Sequence, residues 1–171
     1  MASSPSRRLF IGLMADEPVR HALVEHMRLW TWPASARLVS PDRLHLTLHF
    51  LGQVQAGDEQ ALLDALPAVA MEPLDLVLDT PHAFGGSIAV LLPRPDDSLV
   101  ALHRRFAPVL ERIGQHLPET WTPHVTLARK AQGARRPAQP PPIAWRVREF
   151  ALVWSKLTQP TGYHVLARYG T

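Results

Sequence analysis

Two six-residue stretches, HLTLHF (45–50) and HVTLAR (124–129), repeat one pattern 79 positions apart: histidine, an apolar residue, threonine, leucine. Imidazole titrates near pH 6.5, so of two neighbouring histidines one can be neutral while the other is charged at neutral pH. That pairing suits a general base and a general acid at opposite ends of one displacement. Threonine hydroxyls donate hydrogen bonds to oxygens on which negative charge grows. Two histidines and two threonines around one cavity therefore fit in-line displacement at phosphorus. A strained cyclic phosphate is the easiest such substrate to open without a metal.

The candidate residues are His45, Thr47, His124 and Thr126. A metal reading fares worse. His45 and His49 on a strand lie about 13 Å apart, at roughly 3.3 Å per residue, too far for one ion. Neither motif holds a carboxylate and there is no HExxH, so neither metal nor cofactor is expected. His21, His26, His82, His103, His116 and His164 read as surface or hydrogen-bonded core residues. His49 shares the motif face by simple alternation, but it has no counterpart in the second copy and also reads as structural.

These residues need strands to aim them. In a strand, side chains alternate between faces. His45, Thr47 and His49 then oppose Leu46, Leu48 and Phe50, and His124 and Thr126 oppose Val125 and Leu127. RLFIGLM (8–14) has strand length. Asp16 caps a helix over 17–30 with Val19, Leu23, Met27 and Trp30 on one face. Short strand 36–40 and turn 41–43 lead into strand 44–51, which Gly52 closes. A helix from Asp58 follows. LDLVLDT (74–80) alternates as a half-buried strand and SIAVLL (87–92) pairs with it. A third helix carries Leu99, Leu102, Phe106, Val109, Leu110 and Ile113, and Gly114 ends it. The proline-rich segment 131–142 is a loop. Strands over 147–157 and 162–170 close the chain. Helices mixed with hairpins in each half indicate α+β architecture, with two similar lobes giving their motif strands to one cleft.

Composition sets the frame. The 171 residues suit one domain, here residues 7–171 behind a disordered lead of residues 1–6. No apolar run approaches the roughly 20 residues of a membrane span, and the polar N-terminal lead lacks a signal-peptide core. No cysteine is present, which excludes disulfides and thiol nucleophiles and fits the cytoplasm. Of 18 basic residues only Lys130 and Lys156 are lysine. Guanidinium groups suit phosphate contacts, although an arginine-rich composition is equally a mark of a GC-rich genome.

The paired His-x-Thr-(apolar) motifs resemble the signature of the 2H phosphoesterases. With RLFIGL (8–13), LHLTLHFLG (44–52), ALHRRF (101–106), PHVTLAR (123–129) and LTQPTGYHVLARY (157–169), the chain is similar to LigT-like (ThpR) RNA 2',3'-cyclic phosphodiesterases, also called RNA 2'-5' ligases. The resemblance implies a bilobal α+β fold, with pseudo-two-fold-related lobes of antiparallel sheet and flanking helices around a central cleft. It implies hydrolysis of RNA 2',3'-cyclic phosphate ends to 2'-phosphates without ATP or metal, and reversible 2'-5' joining when a 5'-hydroxyl replaces water. His45 becomes the proton donor, His124 the proton acceptor, and Thr47 and Thr126 the phosphate holders. Phe50 and Arg129 match positions that flank the nucleobase. Alternation puts both opposite the histidines, so they reach a ligand only if the strands bulge there; core packing is the alternative for Phe50. The expected partners are RNA with 2',3'-cyclic phosphate ends, tRNA fragments among them, or 2',3'-cyclic nucleotides, with no membrane and a monomeric enzyme. One departure is SIAVLLPRP (87–95), which lacks an aromatic residue common there. Competing readings are a 2H enzyme acting as a 3'-5' RNA exonuclease or on another cyclic nucleotide, and a non-catalytic nucleotide-binding module.

Overall fold

The computed structural model describes residues 5–170. Of the expected disordered lead, residues 1–4 lie outside the described residues, and Ser6 already belongs to β1 (Ser6–Met14). The Asp16 carboxylate accepts from the Val19 amide (3.1 Å) and opens α1 (Glu17–Met27), which buries Val19, Leu23 and Met27. The two-residue β2 (Arg37–Leu38) and a 3-10 turn at Pro41–Arg43 precede β3 (His45–Gln55). Gly52 does not end β3. Its φ of +71° lets the strand bulge and run on for three residues.

After α2 (Ala56–Ala65) come β4 (Leu74–Phe84) and β5 (Ile88–Pro93). β4 continues through Pro81 because its neighbour on one side stops pairing at Leu78, leaving an edge where proline is tolerated. The expected third helix is two: α3 (Asp97–Arg105) and α4 (Ala107–Glu111). Pro108 has no amide to continue the helical ladder, and the axis breaks at Phe106. β6 (Val125–Arg129) carries the second motif. β7 (Ile143–Val147) was not expected; buried Ile143, Trp145 and Val147 alternate there, but the preceding run of prolines hides the pattern. β8 (Glu149–Lys156) and β9 (Gly162–Gly170) complete the chain.

The strands form one sheet in the order β7-β4-β5-β6-β3-β1-β8-β9, with β2 added to β6 and every neighbour antiparallel. It divides into two four-stranded halves. One is contiguous in sequence (β4 to β7); the other joins β1 and β3 from the N-terminal side to β8 and β9 from the C-terminal side. The halves are thus not the first and second parts of the chain. They meet through the single residue pair Leu46–Val125.

One face of the sheet is covered. Leu9, Ile11 and Leu13 of β1, Leu46 and Leu48 of β3, and Val125 and Leu127 of β6 pack with Leu23, Leu62, Leu102 and Phe106 in a core that spans both halves. Phe10 points the other way, with Ala151 and Val153, into the face that holds the motif histidines. Among the described residues no helix is long and apolar enough to cross a membrane.

Candidate active site

Leu46 and Val125 are the middle residues of the two His-x-Thr motifs. Because they pair across an antiparallel bridge, a local two-fold axis passes between them and sets one His-Thr pair against the other. The reason for the repeat lies here: two copies of one pattern, run in opposite directions, build the two sides of one site. In both copies the imidazole Nδ1 meets a carbonyl two residues earlier, Arg43 for His45 (2.7 Å) and Thr122 for His124 (2.8 Å). A carbonyl only accepts, so each Nδ1 carries a proton and each Nε2 is the nitrogen left without a backbone partner.

Both strands then bulge at the same motif position. Pairing with β1 slips between Gly12–Thr47 and Ile11–His49, leaving Leu48 unmatched. Pairing with β5 slips between Val90–Thr126 and Ala89–Ala128, leaving Leu127 unmatched. The extra residue reverses the alternation beyond it. Phe50 and Arg129, which plain alternation sends into the core, therefore turn outward; Phe50 is 55% exposed and both line the cleft. The same slip overturns the placement of His49 on the motif face. It is buried on the helix side, its ring stacked on His103 at 4.2 Å.

α3 holds the β3 bulge. The His103 ring donates from Nδ1 to the Leu48 carbonyl (3.1 Å), and His49 donates from Nε2 to the His103 carbonyl (2.9 Å). That carbonyl lies in the last turn of α3, where helical partners run out. Trp121 covers the other side of His103, parallel at 3.9 Å. Burial and the neighbouring His49 lower the His103 pKa to about 4.

The cleft is about 630 Å³. Around the four motif side chains stand Arg8, Arg37, Arg43, Arg129 and Lys130, and no carboxylate. None of these cations pairs with an acid among the described residues. Arg8 instead lies 4.6 Å over the Phe50 ring, and Arg43 lies 5.5 Å over Tyr163 and donates to the Thr161 hydroxyl (3.1 Å). Such a lining suits an anion beside an aromatic group. Phe10 stacks on His45 at 4.6 Å, and Tyr163 meets both edge-on. Gly12 makes room: a Cβ there would come within 3.1 Å of the Leu46 carbonyl and of the Phe10 ring. On the other side of the two-fold, Ile88 holds the position equivalent to Phe10. Phe84 from β4 supplies the aromatic contact, edge-on to His124 at 4.9 Å. The aromatic missing from β5 thus comes from the neighbouring strand.

The two histidines differ in surroundings. Burial, then the charges of His124 and Arg129, lower the pKa of His45, against a raising contribution from the Arg43 carbonyl. His45 Nε2 lies 2.9 Å from the Thr47 hydroxyl, which donates to it when the ring is neutral. Protonation of Nε2 reverses that bond and releases the hydroxyl hydrogen for another acceptor. Among the described residues no group of three His, Asp or Glu converges as a metal-ligand set. The sequence reading missed Arg8, Phe10, Arg43, Tyr163 and Phe84. Only their positions inside the flanking segments RLFIGL and GYHVLAR, or two residues before a motif histidine, marked the first four.

A model of the 2'-5' RNA ligase superfamily matches residues 15–159. The chain is 32% identical over 173 residues to the RNA 2',3'-cyclic phosphodiesterase of Escherichia coli (strain K12), an alignment covering 97% of each. Among solved structures it is similar to E. coli LigT in apo form, with a TM-score of 0.83 and 28% identity over 98% of both chains. It is likewise similar to E. coli LigT complexed with 3'-AMP, with a TM-score of 0.81 and 28% identity over 98% of both.

Proposed function

The chain belongs to the 2'-5' RNA ligase superfamily, and from that premise we propose that it opens 2',3'-cyclic phosphate ends of RNA to 2'-phosphate ends. The observation that carries the reading is the two-fold pairing of the His-x-Thr motifs inside a cationic cleft free of carboxylates. His45 is the proton donor and His124 the proton acceptor. Water gives its proton to His124 Nε2 as its oxygen attacks phosphorus, the P–O3' bond breaks, and O3' takes the proton of His45 Nε2. Thr47 and Thr126 donate to the non-bridging oxygens, and the surrounding guanidinium groups balance the charge that grows there. Phe50 and Arg129 bracket the base at the RNA end.

The lowered pKa of His45 fits this order of events. In the empty cleft the ring gives up its proton readily. A bound phosphodiester anion favours the imidazolium, so substrate loads the donor and at once frees the Thr47 hydroxyl to hold the phosphate. With a 5'-hydroxyl in place of water, the same steps join two RNA ends by a 2'-5' bond. The test is turnover of 2',3'-cyclic AMP in EDTA, with products separated. We expect adenosine 2'-phosphate at an undiminished rate. A 3'-phosphate product, or activity restored only by added metal, overturns the reading.

A further inference from the structure

A second recess of about 480 Å³ adjoins the cleft and shares Thr47, Phe50 and His124 with it. It reaches His124 but not His45. Its lining contains no Asp, Glu, Lys or Arg, whereas the phosphate cleft beside it has five cations. Phe84, Trp121, Pro118 and His116 form its own walls, with the hydroxyls of Thr120 and Thr122 among them. Trp121 is a fixed wall, because one face of the indole lies on His103 at 3.9 Å with the planes 1° apart.

We propose that this recess binds the nucleoside whose 5'-hydroxyl attacks the cyclic phosphate, an acceptor subsite that rests on the reaction proposed above. An uncharged aromatic pocket suits a base and its sugar and is wasted on phosphate. Position selects the acceptor rather than the cyclic end. The recess touches the histidine that takes a proton from the nucleophile and stays clear of the one that protonates the departing O3'. A nucleoside seated there brings its 5'-oxygen to His124 Nε2. The hydroxyl proton passes to that nitrogen, the O5'–P bond forms and the P–O3' bond breaks. O3' leaves with the proton of His45, and the product is a 2'-5' diester with a free 3'-hydroxyl. In the reverse direction the same recess holds the departing nucleoside.

The experiment offers 2',3'-cyclic AMP to the enzyme with adenosine or methanol as the competing alcohol, and measures diester formed relative to water attack. Methanol has the hydroxyl without the base. The wild-type enzyme should prefer adenosine over methanol by about tenfold or more at equal concentration, as stacking of one base allows. Trp121→Ala, which removes a wall, and Thr120→Trp, which fills the recess from an exposed position, should both abolish that preference. An unchanged adenosine-to-methanol ratio in Thr120→Trp, or no preference in the wild type, overturns the subsite while leaving the hydrolase intact. A wild-type enzyme that does not hydrolyse 2',3'-cyclic AMP at all overturns the proposed function, and the subsite falls with it.

Discussion

His45 sits deeper than a titrating group prefers, between Phe10, Tyr163 and the charges of His124 and Arg129. Burial lowers its pKa, so the limb of the pH profile that it owns lies below pH 6.5 when measured as kcat/KM, which reports the free enzyme. In the bound state the phosphodiester anion stabilises the imidazolium, and the same limb moves to higher pH in kcat. The expected outcome is a bell-shaped profile in which the limb owned by His45 lies at higher pH in kcat than in kcat/KM for 2',3'-cyclic AMP. Coincident profiles would mean that the phosphate does not load His45.

At the scale of elements, the β3 bulge is the device that turns Phe50 from core to cleft, and α3 clamps it through His103 and His49. His103→Ala removes the bond to the Leu48 carbonyl and a stacking partner of Trp121. Its KM for 2',3'-cyclic AMP should rise several-fold with a smaller change in kcat. In a Phe50→Ala background the same change should add little, since both act on one contact; fully additive effects would separate the clamp from the cleft. The clamp also titrates. His103 and His49, and His26 on α1 outside the clamp, have pKa values lowered by burial, so the unfolded chain binds more protons than the folded one between their folded and unfolded values. The stability these groups contribute is complete above about pH 6.5 and is lost as pH falls toward the His103 value of about 4. The melting temperature, followed across that window, should drop, and drop less in His103→Ala relative to its own value at neutral pH.

Over the whole molecule, two half-sheets meet through one residue pair but share a continuous core on their covered face. The half built from β1, β3, β8 and β9 closes only when the two ends of the chain meet, so neither half assembles a finished core alone. Unfolding in urea should therefore be a single transition, with circular dichroism, tryptophan fluorescence and hydrolytic activity lost together. Activity lost at lower urea than secondary structure would mean that the halves come apart first.

The sequence by itself determined which residues the site is built from: the His-x-Thr repeat and the strands that carry it are local patterns of residue type and spacing. Asp16 as a cap and the alternation of LDLVLDT are local in the same sense. What tertiary structure decided was everything that depends on pairing. The slip at Leu48 and Leu127 is a matter of register between strands far apart in sequence. It alone sent His49 inward and Phe50 and Arg129 outward, against the alternation that each strand shows by itself. β7 was hidden because its alternation is short and follows prolines, and it becomes a strand only through β4. Phe84 reaches His124 from a strand end that sequence reading cut short at Thr80. Side-chain periodicity is a property of one strand; which residue enters a shared cleft is a property of two.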